Sequence, residues 1–143
     1  MSKRREGRET ALQLLYGSQT LPPGVDQDLD EFWKLRRTDE LVREHAMTLY
    51  QGVKVHLAAI DQRLTACLEN FSFERLSAVD RNILRVALFE MFHDTKVPPV
   101  VSMNEAIEIA KRFGGEDSGR FVNGILDRLI KEVNRSQDRK SVV

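Results

Sequence analysis

The amino-terminal residues of this chain could bind phosphate. Four cations fall within the first eight positions: Lys3, Arg4, Arg5 and Arg8. Only Glu6 and Glu9 oppose them in residues 1–9, and guanidinium and ammonium groups are the usual protein contacts to nucleic-acid phosphates. We expect residues 1–9 to form a mobile basic arm suited to phosphate contacts. A solvated terminus with no ligand is an equally good interpretation of these residues taken alone.

Arg85 is the second candidate for an anion contact. It lies inside residues 77–92, whose apolar side chains point in almost every direction around a helix, as in a helix enclosed by others. An arginine keeps its charge and must reach water or an anion. One interpretation is contact with a functional anion. The other is that its stem crosses apolar surface to water or that it pairs with a carboxylate such as Asp80.

The remaining reactive side chains do not suggest catalysis. His45, His56 and His93 have no partners at a recognised ligand spacing, so we predict no metal site and no cofactor. The glycines near residue 115 follow no strand and precede no Gly-Lys-Ser/Thr, so a nucleotide-binding loop is not predicted. A single cysteine excludes an internal disulfide. No apolar run is long enough for a signal peptide or a membrane span, so we expect a cytoplasmic protein with no membrane partner.

Composition and hydrophobic spacing predict an all-α fold. Charged residues make up 31% of the 143 positions, and the four prolines occur as two pairs outside the helical patterns. The 22 basic residues balance the 22 acidic ones, so any anion-binding surface must come from local segregation of charge. We expect one helical domain over residues 10–134 and a flexible tail over residues 135–143.

Local signals predict where the helices begin and end. Ser77 with Asp80, and Thr38-Asp39, are typical of helix starts. A long apolar pattern follows Asp39 and reaches Phe71, with Gly52 as its expected interruption. Residues 96–101 are expected to be an extended connector because they contain Pro98-Pro99. A capping box at Ser102 and Glu105 should start the next helix, and Gly114-Gly115 should end it.

Three blocks of sequence resemble the NusB family of bacterial transcription antitermination factors, over about Arg4 to Val133. The first is Arg4-Arg5, Arg8-Glu9 and the run from Ala11 to Tyr16, and the second runs from Val79 to Glu90. The third joins Asn104 to Lys111, Phe113-Gly114, Glu116-Asp117-Ser118 and Phe121 to Asp127. The chain departs from the family pattern at Asp80, where Glu is common, and at Phe71-Ser72-Phe73, where a tryptophan is expected. Residues 20–38 carry no family signature.

The resemblance implies a fold of about seven helices in two packed sub-bundles. It further implies binding of the boxA element of nascent RNA together with NusE, the small-subunit ribosomal protein, within the RNA polymerase antitermination complex. Matched by position, six residues are expected to contact single-stranded RNA: Lys3, Arg4, Arg5, Arg8, Arg85 and Phe121. Tyr16, Asp80 and Asp117 also match the family's RNA or NusE surface, although Tyr16 could be a core aromatic residue and Asp117 a helix cap.

Two functions of other classes are alternatives for this sequence. NusB-like domains also occur fused to ribosomal-RNA methyltransferases, but this chain has neither a glycine-rich cofactor loop after a strand nor a Cys-His pair, so we predict that it is not an enzyme. An accessory role in ribosomal-RNA maturation stays open. The other alternative is a helical protein-interaction bundle with no RNA role, and the sequence does not decide whether the chain forms a homodimer.

Overall fold

The computed structural model describes residues 2–68, 73–94 and 96–141, with side chains through Val133. The described residues form six α-helices and one 3₁₀ turn, with no strand. In chain order they are α1 Lys3–Gln19, α2 Leu29–Lys34, α3 Glu40–Val55, α4 Leu57–Cys67, the turn Phe73–Arg75, α5 Ala78–His93 and α6 Pro99–Ser141. The all-α prediction is confirmed.

Helix α5 is the centre of the packing. It contacts α1, α3, α4 and α6, and every residue from Asn82 to Met91 is buried. Its start is the predicted one, since the Ser77 hydroxyl accepts a hydrogen bond from the Asp80 amide at 3.0 Å. Because its polar residues are buried together with its apolar ones, they must find partners inside the protein.

The amino-terminal cations belong to α1, although the sequence suggested an arm over residues 1–9 separate from the helical domain. Ser2 caps α1 by accepting from the Arg5 amide at 3.1 Å, so the helix includes residues 3 to 9. Gly7 lies so close to α3 that an added Cβ would be 2.6 Å from His45 Cδ2. This close packing holds the first turns of α1 against α3.

Gly52 does not interrupt the long helical pattern, contrary to expectation. It lies inside α3, and the chain breaks at His56, which separates α3 from α4. An added Cβ at Gly52 would lie 2.1 Å from Phe89 Cζ. The glycine therefore makes room for a ring of α5, and its role is tertiary packing, not a kink. Phe71, where the predicted pattern ended, is outside the described residues.

The helix expected to start at Ser102 starts earlier. Pro99, Val100 and Val101 belong to α6, because a proline is tolerated in the first turn, where its missing N–H has no partner to lose. Ser102 is therefore buried inside the helix and is not its cap.

The predicted stop at Gly114-Gly115 is confirmed as a sharp break within α6. Gly115 has φ 84° and ψ −174°, a conformation that L side chains rarely adopt, so α6 divides into segments 99–114 and 116–141. The predicted flexible tail, residues 135–143, lies outside the residues whose side chains the structure describes. No helix in the described part of the chain combines the length and apolar character needed to cross a membrane.

Candidate nucleic-acid interface

The four amino-terminal cations occupy different environments on α1. Lys3 is exposed and forms an ion pair with Asp39 at 3.2 Å. Arg4 is exposed, and among the described side chains it has no ion-pair partner. Arg5 and Arg8 point toward other helices instead. The first turn of α1 therefore presents Lys3 and Arg4 to solvent, whereas the next two arginines make interhelical contacts.

Arg8 forms a buried ion pair with Glu90 of α5. Its Nε and Nη2 donate to the two carboxylate oxygens at 2.6 and 2.9 Å, and the side chains are only 4% and 1% exposed. The Ser102 hydroxyl also donates to Glu90, at 3.2 Å. This carboxylate thus joins α1, α5 and α6, and the Arg8 guanidinium has almost no surface to offer an external phosphate.

Arg85 is also buried and paired. Its Nε and Nη2 donate to the Asp61 carboxylate of α4 at 2.8 and 2.9 Å, and its Nη1 donates to Asn82 Oδ1 at 3.1 Å. The side chain is 7% exposed. The structure therefore matches the carboxylate-pair interpretation of Arg85, although the partner is Asp61 and not Asp80.

Arg5 is only partly covered and connects α1 to α6. Its Nε and Nη2 donate to the Glu105 carboxylate at 2.6 and 3.1 Å. These hydrogen bonds lower the pKa of Glu105 and raise the pKa of Arg5, since they stabilise both charged forms. More than a third of the Arg5 side chain remains exposed, so an additional anion can approach it.

Arg112 and Phe113 were not among the sequence-predicted site residues. Arg112 donates to both oxygens of Glu9 at 2.9 and 3.2 Å, and its guanidinium lies 5.5 Å from the centroid of the Phe113 ring. Phe113 is 50% exposed. An arginine next to an aromatic residue at the end of a helix, before Gly114-Gly115, was the signal available in the sequence.

Tyr16 lies on the same side of α1 as these contacts. It is 53% exposed, and positions 5, 9 and 16 follow the four- and seven-residue spacing of one helix face. We call Arg5, Tyr16, Arg112 and Phe113 the α1–α6 face. It combines two arginines with two exposed rings, the side-chain types that hold phosphates and stacked bases.

The other predicted residues lie around the break in α6. Asp80 accepts from the Ser118 hydroxyl at 3.3 Å, while its Oδ1 is buried with no hydrogen-bond partner in the described structure. Asp117 is exposed and paired with Arg120. Phe121 is partly buried against the hydrophobic core. Asp80 thus connects the start of α5 to the 116–141 segment, which positions the residues that follow the break.

No group of three or more His, Cys, Asp or Glu side chains in the described ranges could hold a metal ion. The rings of His56 and His93 instead stack on each other, with centroids 4.1 Å apart and an interplanar angle of 19°. Burial lowers the pKa of both His45 and His93.

Comparisons with known proteins agree with this architecture. The family model described as NusB family matches residues 5–131. The transcription antitermination protein NusB of Trichlorobacter lovleyi is 46% identical over 129 residues, which cover 90% of this chain and 91% of that protein. These matches agree with the prediction that the chain is not an enzyme.

Two solved structures are similar in fold. T. maritima NusB has a TM-score of 0.78 at 40% identity, covering 90% of this chain and 91% of that one. A crystal structure of the antitermination factors NusB and NusE in complex with dsRNA has a TM-score of 0.75 at 26% identity, covering 92% of this chain and 98% of the matched one. With a family model that spans most of its length and close relatives of nearly equal length, this chain belongs to the NusB family.

Proposed function

We propose that this protein is a transcription antitermination factor that binds boxA-like single-stranded RNA together with NusE, as part of the RNA polymerase antitermination complex. The observation that carries the proposal is the first turn of α1, which presents Lys3 and Arg4 to solvent on the helix that also carries Arg5 and Tyr16 of the α1–α6 face. The relatives named as antitermination proteins and the related structure of NusB and NusE with dsRNA support the roles of RNA and NusE as partners. Nascent RNA is made in the bacterial cytoplasm, where we place the protein. A homodimer is not part of the proposal.

The predicted RNA-binding residues divide into two groups in this proposal. Lys3, Arg4 and Arg5 contact phosphates, because their side chains keep exposed surface. Arg8 and Arg85 support RNA binding without touching the RNA, because each guanidinium is buried and donates two hydrogen bonds to a carboxylate of the protein. They hold α1 and α4 on α5 and so fix the surface from which the other cations project.

Aromatic residues supply the second part of the proposed interface. Tyr16 and Phe113 expose about half of their surface, and each stacked base contributes about 1–3 kcal/mol to single-strand binding. Phe121 follows the break in α6 and is only partly buried, so the edge of its ring can add a third contact. Asp80 and Asp117 are assigned to the NusE side of this surface, because carboxylates repel phosphates and suit a protein partner.

The proposal is tested by measuring RNA binding of Arg4→Ala at several salt concentrations, with and without NusE. Loss of one single-strand phosphate contact should lower affinity for all RNA sequences and reduce the slope of log K against log salt by about 0.7. Arg37→Ala is the matched control, since Arg37 is an exposed arginine of the α2–α3 connection, residues 35–39, and is not among the predicted RNA contacts.

Different results would refute different parts of the proposal. If the wild-type protein binds neither RNA nor NusE, the proposed function is wrong. If it binds RNA but Arg4→Ala behaves like Arg37→Ala, then the first turn of α1 is not the phosphate-binding element.

A further inference from the structure

A cavity of about 810 Å³ opens beside the first turn of α1. It is a cleft open to solvent and bordered by three parts of the fold: the start of α1, the first half of α3, and the end of α5 with the residues that follow it. Among its lining side chains are Lys3, Arg4, His45, Phe89, His93 and Lys96. The volume falls within the range of roughly 300–1,000 Å³ typical of small-ligand sites.

Three cations and two carboxylates lie at the rim of this cavity. Lys3, Arg4 and Lys96 face two carboxylates, Glu44 and Asp94. Asp94 is already engaged, because its Oδ1 accepts from the Lys96 backbone amide at 2.9 Å and so shapes the turn that carries this lysine. The Lys3 pair with Asp39 is exposed on both sides, and exposed pairs are worth little, so Lys3 can exchange that partner for a phosphate.

One wall of the cavity is aromatic and fixed in place. His93 is exposed, and its ring stacks on His56 at 4.1 Å and lies 5.2 Å from Phe89, with interplanar angles of about 20°. Phe89 is held in turn by the close approach of Gly52. Bases of single-stranded RNA stack on rings of this kind at little cost, since the rings are already ordered.

We propose that this cavity binds one nucleotide of the RNA strand, with its phosphate on Arg4 and Lys96 and its base against His93. The inference rests on the proposed RNA-binding function and adds a second site to it, on the α3 side of α1. It assigns a role to Lys96, which lies 92 residues after Arg4 in the sequence and reaches the same cavity. Together the cavity and the α1–α6 face would engage both sides of α1.

The experiment compares Lys96→Ala with Lys34→Ala in the full-length protein. Both lysines are exposed, but Lys34 lies on α2, away from the cavity. The probes are a labelled single-stranded boxA-like RNA and, separately, free UMP. Lys96→Ala should weaken RNA binding roughly three- to tenfold and reduce the salt slope by about 0.7, whereas Lys34→Ala should change neither.

A second pair of variants tests the aromatic wall. His93→Ala should lower the affinity for RNA by about fivefold or more. His93→Phe should retain most of the wild-type affinity, since stacking needs only the face of a ring. Circular dichroism at matched temperature checks that both variants keep the wild-type fold.

The outcomes separate this inference from the proposed function. If the protein binds RNA but Lys96→Ala and Lys34→Ala have the same RNA affinity and salt slope, the cavity proposal is overturned. RNA binding through the α1–α6 face then stands. Binding of UMP that is lost in Lys96→Ala, with no binding of RNA, would support a nucleotide site and refute the RNA function. Binding of neither probe overturns both.

Discussion

Breaking the buried ion pair between Arg8 and Glu90 should cause a large loss of folding stability. Changing Arg8 to Met keeps the apolar stem but leaves the Glu90 carboxylate, 1% exposed, with only the Ser102 hydroxyl as partner. An uncompensated buried charge costs about 3–5 kcal/mol. Because Glu90 joins α1, α5 and α6, this loss should appear as lower global stability.

The double variant Arg8→Met/Glu90→Leu should recover most of that loss. Replacing a buried ion pair by apolar residues of similar volume is often neutral or stabilising. Here Ser102 loses its acceptor, a cost of about 1 kcal/mol, so we expect the double variant within about 2 kcal/mol of the wild type. The single variant is therefore expected to be less stable than the double one.

Urea unfolding followed by circular dichroism at 222 nm measures these differences, with the slope of the transition checked for constancy. Lys3→Met is the matched control on the same helix, because it breaks the pair with Asp39 in which the two side chains are 57% and 45% exposed, and exposed pairs contribute about 0–1 kcal/mol. If Arg8→Met costs no more than Lys3→Met, the Arg8–Glu90 pair does not hold α1 on α5 and the reasoning is refuted.

Two further predictions concern packing and pH. Gly52→Ala should destabilise the fold by about 1–3 kcal/mol, because its added Cβ clashes with Phe89. Gly124→Ala should stabilise the fold by up to about 1 kcal/mol, because no atom lies within 4 Å of the added Cβ. Equal urea midpoints for the two variants would contradict this prediction. Burial lowers the pKa of His45 below its ordinary 6.5, so the unfolded chain binds its proton first and stability is lost as pH falls below 6.5. His45→Gln should reduce the fall in urea midpoint between about pH 8 and about pH 5.5. A fall as large as that of the wild type would contradict this prediction. The charged groups that act on this ring are Arg4, Arg8, Glu90 and Asp94.

Features determined by neighbouring residues could be predicted from the sequence. The cap at Ser77 needs only the amide three residues later, and the break at Gly115 needs only a residue that tolerates positive φ. Asp39 likewise caps α3 by accepting from the Leu41 amide. The all-α class followed from apolar spacing for the same reason, because that spacing is a property of each segment alone.

Features determined by distant contacts could not be predicted in this way. Gly52 looks like a helix breaker by local propensity, and only the ring of Phe89, 37 positions away, explains why a glycine lies inside α3. Ser102 and Glu105 have the spacing of a capping box, but each side chain contacts another helix. In both cases tertiary contacts decide the outcome.

The arginines show why the candidate site was only partly predictable. The family resemblance groups Arg4, Arg5, Arg8 and Arg85 as RNA contacts. The sequence shows that these side chains are charged, but it does not show which of them are exposed. Glu90 lies 82 positions after Arg8, and Asp61 lies 24 before Arg85. No local pattern links either pair, so buried and exposed arginines could not be distinguished before the helices were packed.

This distinction determines which experiments can test the function. Deleting residues 1–7 would remove the cations Lys3, Arg4 and Arg5. It would also remove the Gly7 contact with His45, the Arg5–Glu105 bonds and the cap at Ser2. Weaker RNA binding by such a truncation would therefore follow either from lost phosphate contacts or from a loosened α1. Arg4→Ala changes an exposed side chain and leaves these contacts in place. Its effect on the salt slope, at unchanged urea midpoint, isolates the phosphate contribution from the structural one.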